Sequence, residues 1–138
     1  MFRTVLIVSD DDGSREQHAW RLRVAGYRVL TATSGREALG TMNARRIDLL
    51  VLDLEAPDAR ATLQRIEGNP RLARVPMLLA TASPGSAPPE LASIAKPFSP
   101  EKLTETVAAI AGTSRAPITT PLRQAAVPRD PGGGGEQQ

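Results

Sequence analysis

A doubly wound, five-stranded parallel α/β sheet is the fold this sequence predicts, and three observations carry that expectation. The apolar runs Val5–Val8, Ile47–Leu52 and Met77–Ala80 have the length and composition of strands buried in a parallel sheet. Segments with helix-capping residues alternate with them, which argues for right-handed crossovers. Each run also stops at polar residues: Ser9-Asp10-Asp11-Asp12, then Asp53, then Thr81, with Lys96-Pro97 after a further short strand. Carboxyl ends of strands are where sites form in such a sheet. Acids, a hydroxyl and an ammonium gathered there suit a divalent cation and a phosphoryl group.

In chain order, strands are expected at 4–8, 28–32, 48–52, 77–81 and 92–95, and helices at 14–25, 35–44, 58–67 and 100–111. The first helix holds Gln17, His18 and Arg21 among few apolar residues, so its buried face is poorly defined, and Gly26 closes it. Ser34 and Glu37 form an S-x-x-E capping box for the second helix. Ser99 supplies a hydroxyl cap to the last, with Pro100 in its first turn. Segment 82–90 contains Pro84, Pro88, Pro89 and Gly85 and cannot be a regular helix. A parallel crossover normally needs a dozen or more residues, so an irregular loop is expected where a fourth helix would be shortened or missing. After about residue 112 the composition changes to Pro117, Pro121, Pro128, Pro131 and the run Gly132–Gly135. The expected organisation is therefore one folded domain over 1–112 and a flexible Pro/Gly-rich tail over 113–138.

Bulk composition narrows the function. The 138 residues fit one domain, and with 41% hydrophobic but 3% aromatic residues the core must be built from Ala, Val, Leu and Ile. The absence of cysteine excludes disulfides, thiolate catalysis and Cys-ligated zinc. No stretch is long and apolar enough to span a bilayer, and Met1-Phe2-Arg3-Thr4 leads into a strand without signal-peptide organisation; a cytoplasmic protein with no membrane insertion is the expectation. The pI near 9.7 accompanies a net charge of only +2. Lys occurs only at Lys96 and Lys102, the Arg residues are dispersed, and Arg45-Arg46 reads as a solvated helix end. With no basic stripe interleaved with aromatics, DNA binding is not expected. Trp20 reads as an exposed or half-buried helix residue, His18 as a packing or surface residue, and Asp12 as a helix cap rather than a metal ligand.

A set of short segments resembles the response-regulator receiver domain of bacterial two-component signalling. They are Val5-Leu6-Ile7-Val8-Ser9-Asp10-Asp11, Ala25-Gly26-Tyr27, Gly35-Arg36-Glu37-Ala38-Leu39, Asp48 to Leu54, Pro57, Asn69 to Pro76, Ala80-Thr81-Ala82 and Lys96-Pro97-Phe98, in the family's order. The resemblance implies a five-stranded flavodoxin-like fold that takes a phosphoryl group from a histidine kinase or phosphotransfer protein and passes the signal to a downstream protein target. It implies Asp53 as phosphoacceptor. Mg²⁺ would be held by Asp10 and Asp53 through their carboxylates and by Glu55 through its backbone carbonyl alone. Thr81 and Lys96 would contact the phosphoryl oxygens, with a Lys96-Pro97 peptide that is often cis. The chemistry agrees: a carboxylate is a workable nucleophile toward phosphorus, and phosphoryl transfer needs positioning and charge neutralisation above all.

The sequence departs from that pattern at the output side and at the metal. Ser9 stands where the family has the first of two acids, so weak Mg²⁺ binding is expected; Asp11, one residue further along the loop, either swings in to compensate or points away. Arg60-Ala61 replaces the family's Asp-Gly, Ser93 stands where an aromatic switch residue is common, and segment 82–90 replaces the fourth helix. Two functions follow: a stand-alone phosphoacceptor receiver, or a pseudo-receiver that docks on proteins irrespective of phosphate. Enzymatic turnover is not expected. A phosphatase of the haloacid-dehalogenase type wants a second Asp two residues after its nucleophile, where this chain has Glu55.

Overall fold

The computed structural model describes residues 3–113, with side chains to residue 111. The elements alternate: β1 (Thr4–Val8), α1 (Asp12–Val24), β2 (Arg28–Ala32), α2 (Gly35–Ala44), β3 (Leu49–Asp53), α3 (Ala59–Glu67), β4 (Met77–Thr81), β5 (Ala92–Ala95) and α4 (Pro100–Thr113). Short 3₁₀ turns at Leu72–Arg74 and Pro84–Ser86 complete the connections. All four strand pairs are parallel and the spatial order is β2-β1-β3-β4-β5. The chain leaves β1 toward one edge and returns to build the other side, so the switch point lies between β1 and β3.

Side-chain alternation along the strands builds a core on each face. Val5, Ile7, Leu49, Val51, Leu78, Ala80, Ala92 and Ile94 pack under α1 and α4 with Ala19, Leu22, Leu103, Val107 and Ile110. Leu6, Val8, Leu50, Leu52, Met77 and Leu79 pack under α2 and α3 with Ala38, Met42, Leu63 and Ile66. Burial on both faces explains why β1, β3 and β4 read as continuous apolar runs rather than alternating ones. Each fully buried leucine contributes roughly 1.5–3 kcal/mol by removal from water.

Helix ends follow the sequence with small differences. Gly26 takes φ +105° after α1, a conformation that costs a residue with a Cβ. Ser34 Oγ accepts the Glu37 N–H at 3.1 Å, but Glu37 reaches back past Ser34 to the Thr33 N–H at 2.6 Å and the Thr33 hydroxyl at 2.9 Å. The capping box therefore closes one residue earlier than expected. Those bonds, the Thr33 N–H foremost, hold the Glu37 carboxyl below its ordinary value. Ser99 Oγ accepts the Lys102 N–H at 3.0 Å as anticipated.

Helix α1 corrects the expected start at residue 14. It begins at Asp12, and Asp11 holds the cap position without a side-chain cap bond. Asp12 is thus a first-turn residue rather than the cap, and it pairs with the buried Arg15 guanidinium at 2.6 Å. The poorly defined buried face has a cause: two of its four buried side chains, Arg15 and His18, are polar.

Segment 82–90 has one 3₁₀ turn and no α-helix, and Ala87 and Leu91 pack against the core under α2 and α3. No helix among the described residues is long and apolar enough to cross a membrane. The tail expected over 113–138 lies, from residue 114 on, outside the described residues.

Candidate phosphoacceptor site

Strand register assembles the site. Asp53 is the last residue of β3 and pairs with Ala80, so Thr81 on β4 stands one position beyond it. Thr81 in turn pairs with Ala95, and its carbonyl accepts the Lys96 N–H at 2.9 Å. The alternation that puts Leu49 and Val51 on the α1/α4 side carries Asp53 there too, and that of Ala92 and Ile94 continues to Lys96. The Lys96-Pro97 peptide is cis.

Lys96 Nζ lies 2.8 Å from Asp53 Oδ1 and 2.8 Å from Glu55 Oε1. Asp53 Oδ1 also accepts the Glu55 N–H at 2.9 Å, which leaves Oδ2 without a hydrogen-bond donor among the described residues. Asp53 is 7% exposed and Thr81 is fully covered. Burial acts to lower the Lys96 pKa, but the bonds to Asp53 and Glu55 outweigh it and the net displacement is upward. Lys96 therefore stays an ammonium.

The side chain of Glu55 was expected to carry no role, and the structure corrects this. Its Oε2 accepts the Thr81 hydroxyl at 2.7 Å and its Oε1 accepts the Ala82 N–H at 3.1 Å, beside the Lys96 ion pair. Burial pushes the Glu55 carboxyl up, yet the bonds from Lys96, Thr81 and Ala82 together bring it down from 4.5 to about 2. The sequence signal is an acid two residues beyond Asp53, whose side chain carries as much of the site as its backbone.

A cavity of about 250 Å³ opens beside Asp53, lined among others by Ser9, Asp10, Asp11, His18, Lys96 and Phe98. Asp10 is exposed on the loop after β1. Ser9 is held locally: its hydroxyl accepts the Asp11 N–H at 3.2 Å and its carbonyl accepts Arg15 Nη1 at 2.8 Å. Arg15 thus anchors the acidic loop, a role invisible in sequence. His18 stacks on Phe98 with centroids 4.9 Å apart and its Nδ1 lies 3.4 Å from the Ser14 hydroxyl. Burial lowers the His18 pKa, partly opposed by the Phe98 backbone and Asp11. Trp20 is exposed, as are Arg45 and Arg46, in line with the sequence reading.

Among the described residues, no three His, Cys, Asp or Glu side chains converge as a metal cluster. The donor set still fits Mg²⁺: Asp10 and Asp53 line one cavity and offer carboxylate oxygens, and this ion is commonly held by one or two carboxylates with water and phosphate completing the shell.

A parallel sheet of order 2-1-3-4-5 with Asp, Thr and Lys converging at its carboxyl edge defines a class of phosphoryl-handling signalling domains. Residues 5–108 match the response regulator receiver domain family, and the chain belongs to it. It is 30% identical over 131 residues to the phosphate regulon transcriptional regulatory protein PhoB of Pseudomonas aeruginosa, covering 84% of this chain and 57% of that protein. It is 33% identical over 115 residues to the probable transcriptional regulator ycf27 of Guillardia theta, covering 77% of this chain and 44% of that one. The chain thus spans about half the length of these curated relatives. The chemotaxis response regulator CheY4 of Vibrio cholerae superposes with a TM-score of 0.71 at 26% identity, over 78% of this chain and 98% of that one. A CheY-like receiver domain protein from Methanospirillum hungatei, at 20% identity and TM-score 0.71 over 83% and 98% of the two chains, shares the fold.

Proposed function

We propose that this chain is a response-regulator receiver that accepts a phosphoryl group on Asp53 from a histidine kinase or phosphotransfer protein and signals through altered protein contacts. The observation that supports it most is the Lys96–Asp53 pair at 2.8 Å, which fixes one acceptor oxygen and leaves the other without a protein donor. In the transfer, Asp53 Oδ2 attacks the phosphorus of a phosphohistidine. The P–O bond forms as the P–N bond breaks, and the departing imidazole nitrogen keeps the electron pair and takes up a proton from solvent. Lys96 offsets the negative charge gathered on the phosphoryl oxygens, and Thr81 supplies a rotatable donor. Asp10, Asp53 and the Glu55 backbone carbonyl would hold Mg²⁺, which when bound supplies further charge neutralisation. The chain itself acts as acceptor rather than as a turnover enzyme. A cytoplasmic location and direct binding to proteins rather than DNA go with this reading.

Incubation with Mg²⁺ and a small-molecule phosphodonor, followed by intact-mass measurement, tests it. The expected result is a gain of one phosphoryl group, lost in Asp53→Asn. No gain in the parent chain rejects the acceptor reading.

The occupation of Thr81, Ala82 and Lys96 by Glu55, together with Ser9, favours a second reading: a pseudo-receiver that docks on its partner irrespective of phosphate. Partner binding unchanged in Asp53→Asn would support it; loss of binding would reject it.

A further inference from the structure

Glu55 makes contacts that an acceptor site does not require of it. Its two oxygens collect the Thr81 hydroxyl at 2.7 Å, the Ala82 N–H at 3.1 Å and the Lys96 ammonium at 2.8 Å. These groups come from the end of β4, the residue after it, and the residue after β5. They are hydrogen-bond donors that converge beside Asp53, whose Oδ1 shares the same ammonium at 2.8 Å. A carboxylate and a phosphoryl group present the same face to such donors: anionic oxygens that accept charge-assisted hydrogen bonds. Thr81 is fully covered while the Glu55 side chain is 41% exposed, so Glu55 is the outer member of the pair.

We propose that the Glu55 carboxylate is a built-in occupant of the phosphoryl-oxygen site, which holds the Thr81, Ala82 and Lys96 donors in the unphosphorylated chain and must swing out before Asp53 can keep a phosphoryl group. The inference rests on Asp53 being the acceptor. It has two consequences. Phosphorylation becomes an exchange of one anion for another on donors already gathered, so the ends of β4 and β5 move little when it occurs. An incoming phosphoryl group also meets a carboxylate of its own sign at the entrance, so Glu55 weakens binding of any anion there. The side chain lies in the turn after β3 and is partly solvated, and its departure breaks no core packing.

Beryllofluoride titration in the presence of Mg²⁺, followed through the Ala82 and Lys96 amides by NMR, tests this on the parent chain, Glu55→Gln, Glu55→Ala and Asp53→Ala. The expected result is binding at least tenfold tighter in Glu55→Ala than in the parent, with Glu55→Gln, which keeps an acceptor oxygen and loses the charge, in between, and none in Asp53→Ala. Equal affinity in the parent and Glu55→Ala overturns the proposal and leaves the acceptor reading intact. If no chain binds beryllofluoride, the acceptor reading fails, and inorganic phosphate decides the occupancy. Phosphate-induced shifts at Ala82 and Lys96 in Glu55→Ala but not in the parent support Glu55 as the occupant of an anion site, apart from any role of Asp53; any other pattern overturns it.

Discussion

Lys96 Nζ donates to Asp53 Oδ1 at 2.8 Å across 43 residues of chain, tying the end of β5 to the end of β3 over the intervening β4. The pair is largely withdrawn from water, with side-chain exposures of 28% and 9%, so salt screens it less than a surface ion pair and losing one partner strands the other charge. Removing the cation leaves Asp53 beside Glu55 with no counter-charge. Lys96→Ala is expected to fold, because the aliphatic core does not depend on this contact, and to lose on the order of 1–3 kcal/mol, the scale for a buried group left unpaired. Phosphate-mimic shifts at Asp53 should persist but no longer reach β5. Denaturant unfolding reads the first effect and amide NMR the second. Equal shifts along β5 in variant and parent would contradict the coupling.

Gly35 sits where α2 meets the start of α3. Its N–H donates to the Pro57 carbonyl at 2.8 Å, and a Cβ there would come within 2.5 Å of the Asp58 carbonyl oxygen and against the Thr62 hydroxyl. Alanine would gain about 1 kcal/mol of helix propensity. The clash is with backbone, which gives less readily than a flexible side chain, so overpacking of roughly 1–3 kcal/mol wins. Gly35→Ala should lower the melting temperature, whereas Gly40→Ala in the same helix, with open space at that position, should raise or preserve it. A thermal melt of both variants checks the contrast.

The order of elements, the four helices and the lack of an α-helix between β4 and β5 were legible because the governing signals are local. Apolar runs of strand length, prolines in 82–90 and caps such as Ser34 and Ser99 act within a few residues. Asp53, Thr81 and Lys96 were legible as a group because register follows from strand ends. Three features were not. The Glu55 side chain bonds to residues 26, 27 and 41 positions away along the chain, and nothing near it in sequence says which way it turns. His18 reads equally as a packing or a surface residue and Arg15 carries no signal of its own, and only tertiary packing reveals that Arg15 holds the loop after β1 and that His18 stacks on Phe98. The start of α1 was misplaced because Asp12 pairs with Arg15 inside the first turn instead of capping it.

His18 carries a pH dependence whose sign follows from its burial. At 7% exposure and stacked on Phe98, it has a pKa lowered from 6.5, chiefly by desolvation. The folded state therefore binds the proton less readily than the unfolded chain. Between the folded value and 6.5 the unfolded state carries more protons, so stability rises with pH in that window and is lost as pH falls through it. Denaturant midpoints should decline from neutral pH downward, starting near 6.5. His18→Phe removes the titrating group and keeps an aromatic partner for Phe98, so its midpoint should be flatter over the same range. Identical pH profiles for both chains would remove His18 as the cause.

Ser9 is the residue expected to set the affinity for Mg²⁺. The loop after β1 offers Asp10 to the cavity, while Ser9 contributes a hydroxyl already engaged by the Asp11 N–H and a carbonyl engaged by Arg15. A hard divalent cation gains most from anionic oxygens, so one added carboxylate near Asp10 and Asp53 should matter more than any neutral ligand. At a few ångströms even a solvent-screened charge pair is worth about 1–4 kcal/mol. Part of this is lost because Arg15 Nη1 lies 2.8 Å from the Ser9 carbonyl and competes for the new charge. Ser9→Asp is therefore expected to tighten Mg²⁺ binding by about tenfold, at the lower end of that range, since each factor of ten corresponds to about 1.4 kcal/mol. Ser9→Asn, similar in shape and uncharged, should leave it near the parent value. Isothermal titration with Mg²⁺ separates the two. If Asn tightens binding as much as Asp, shape rather than charge governs the site.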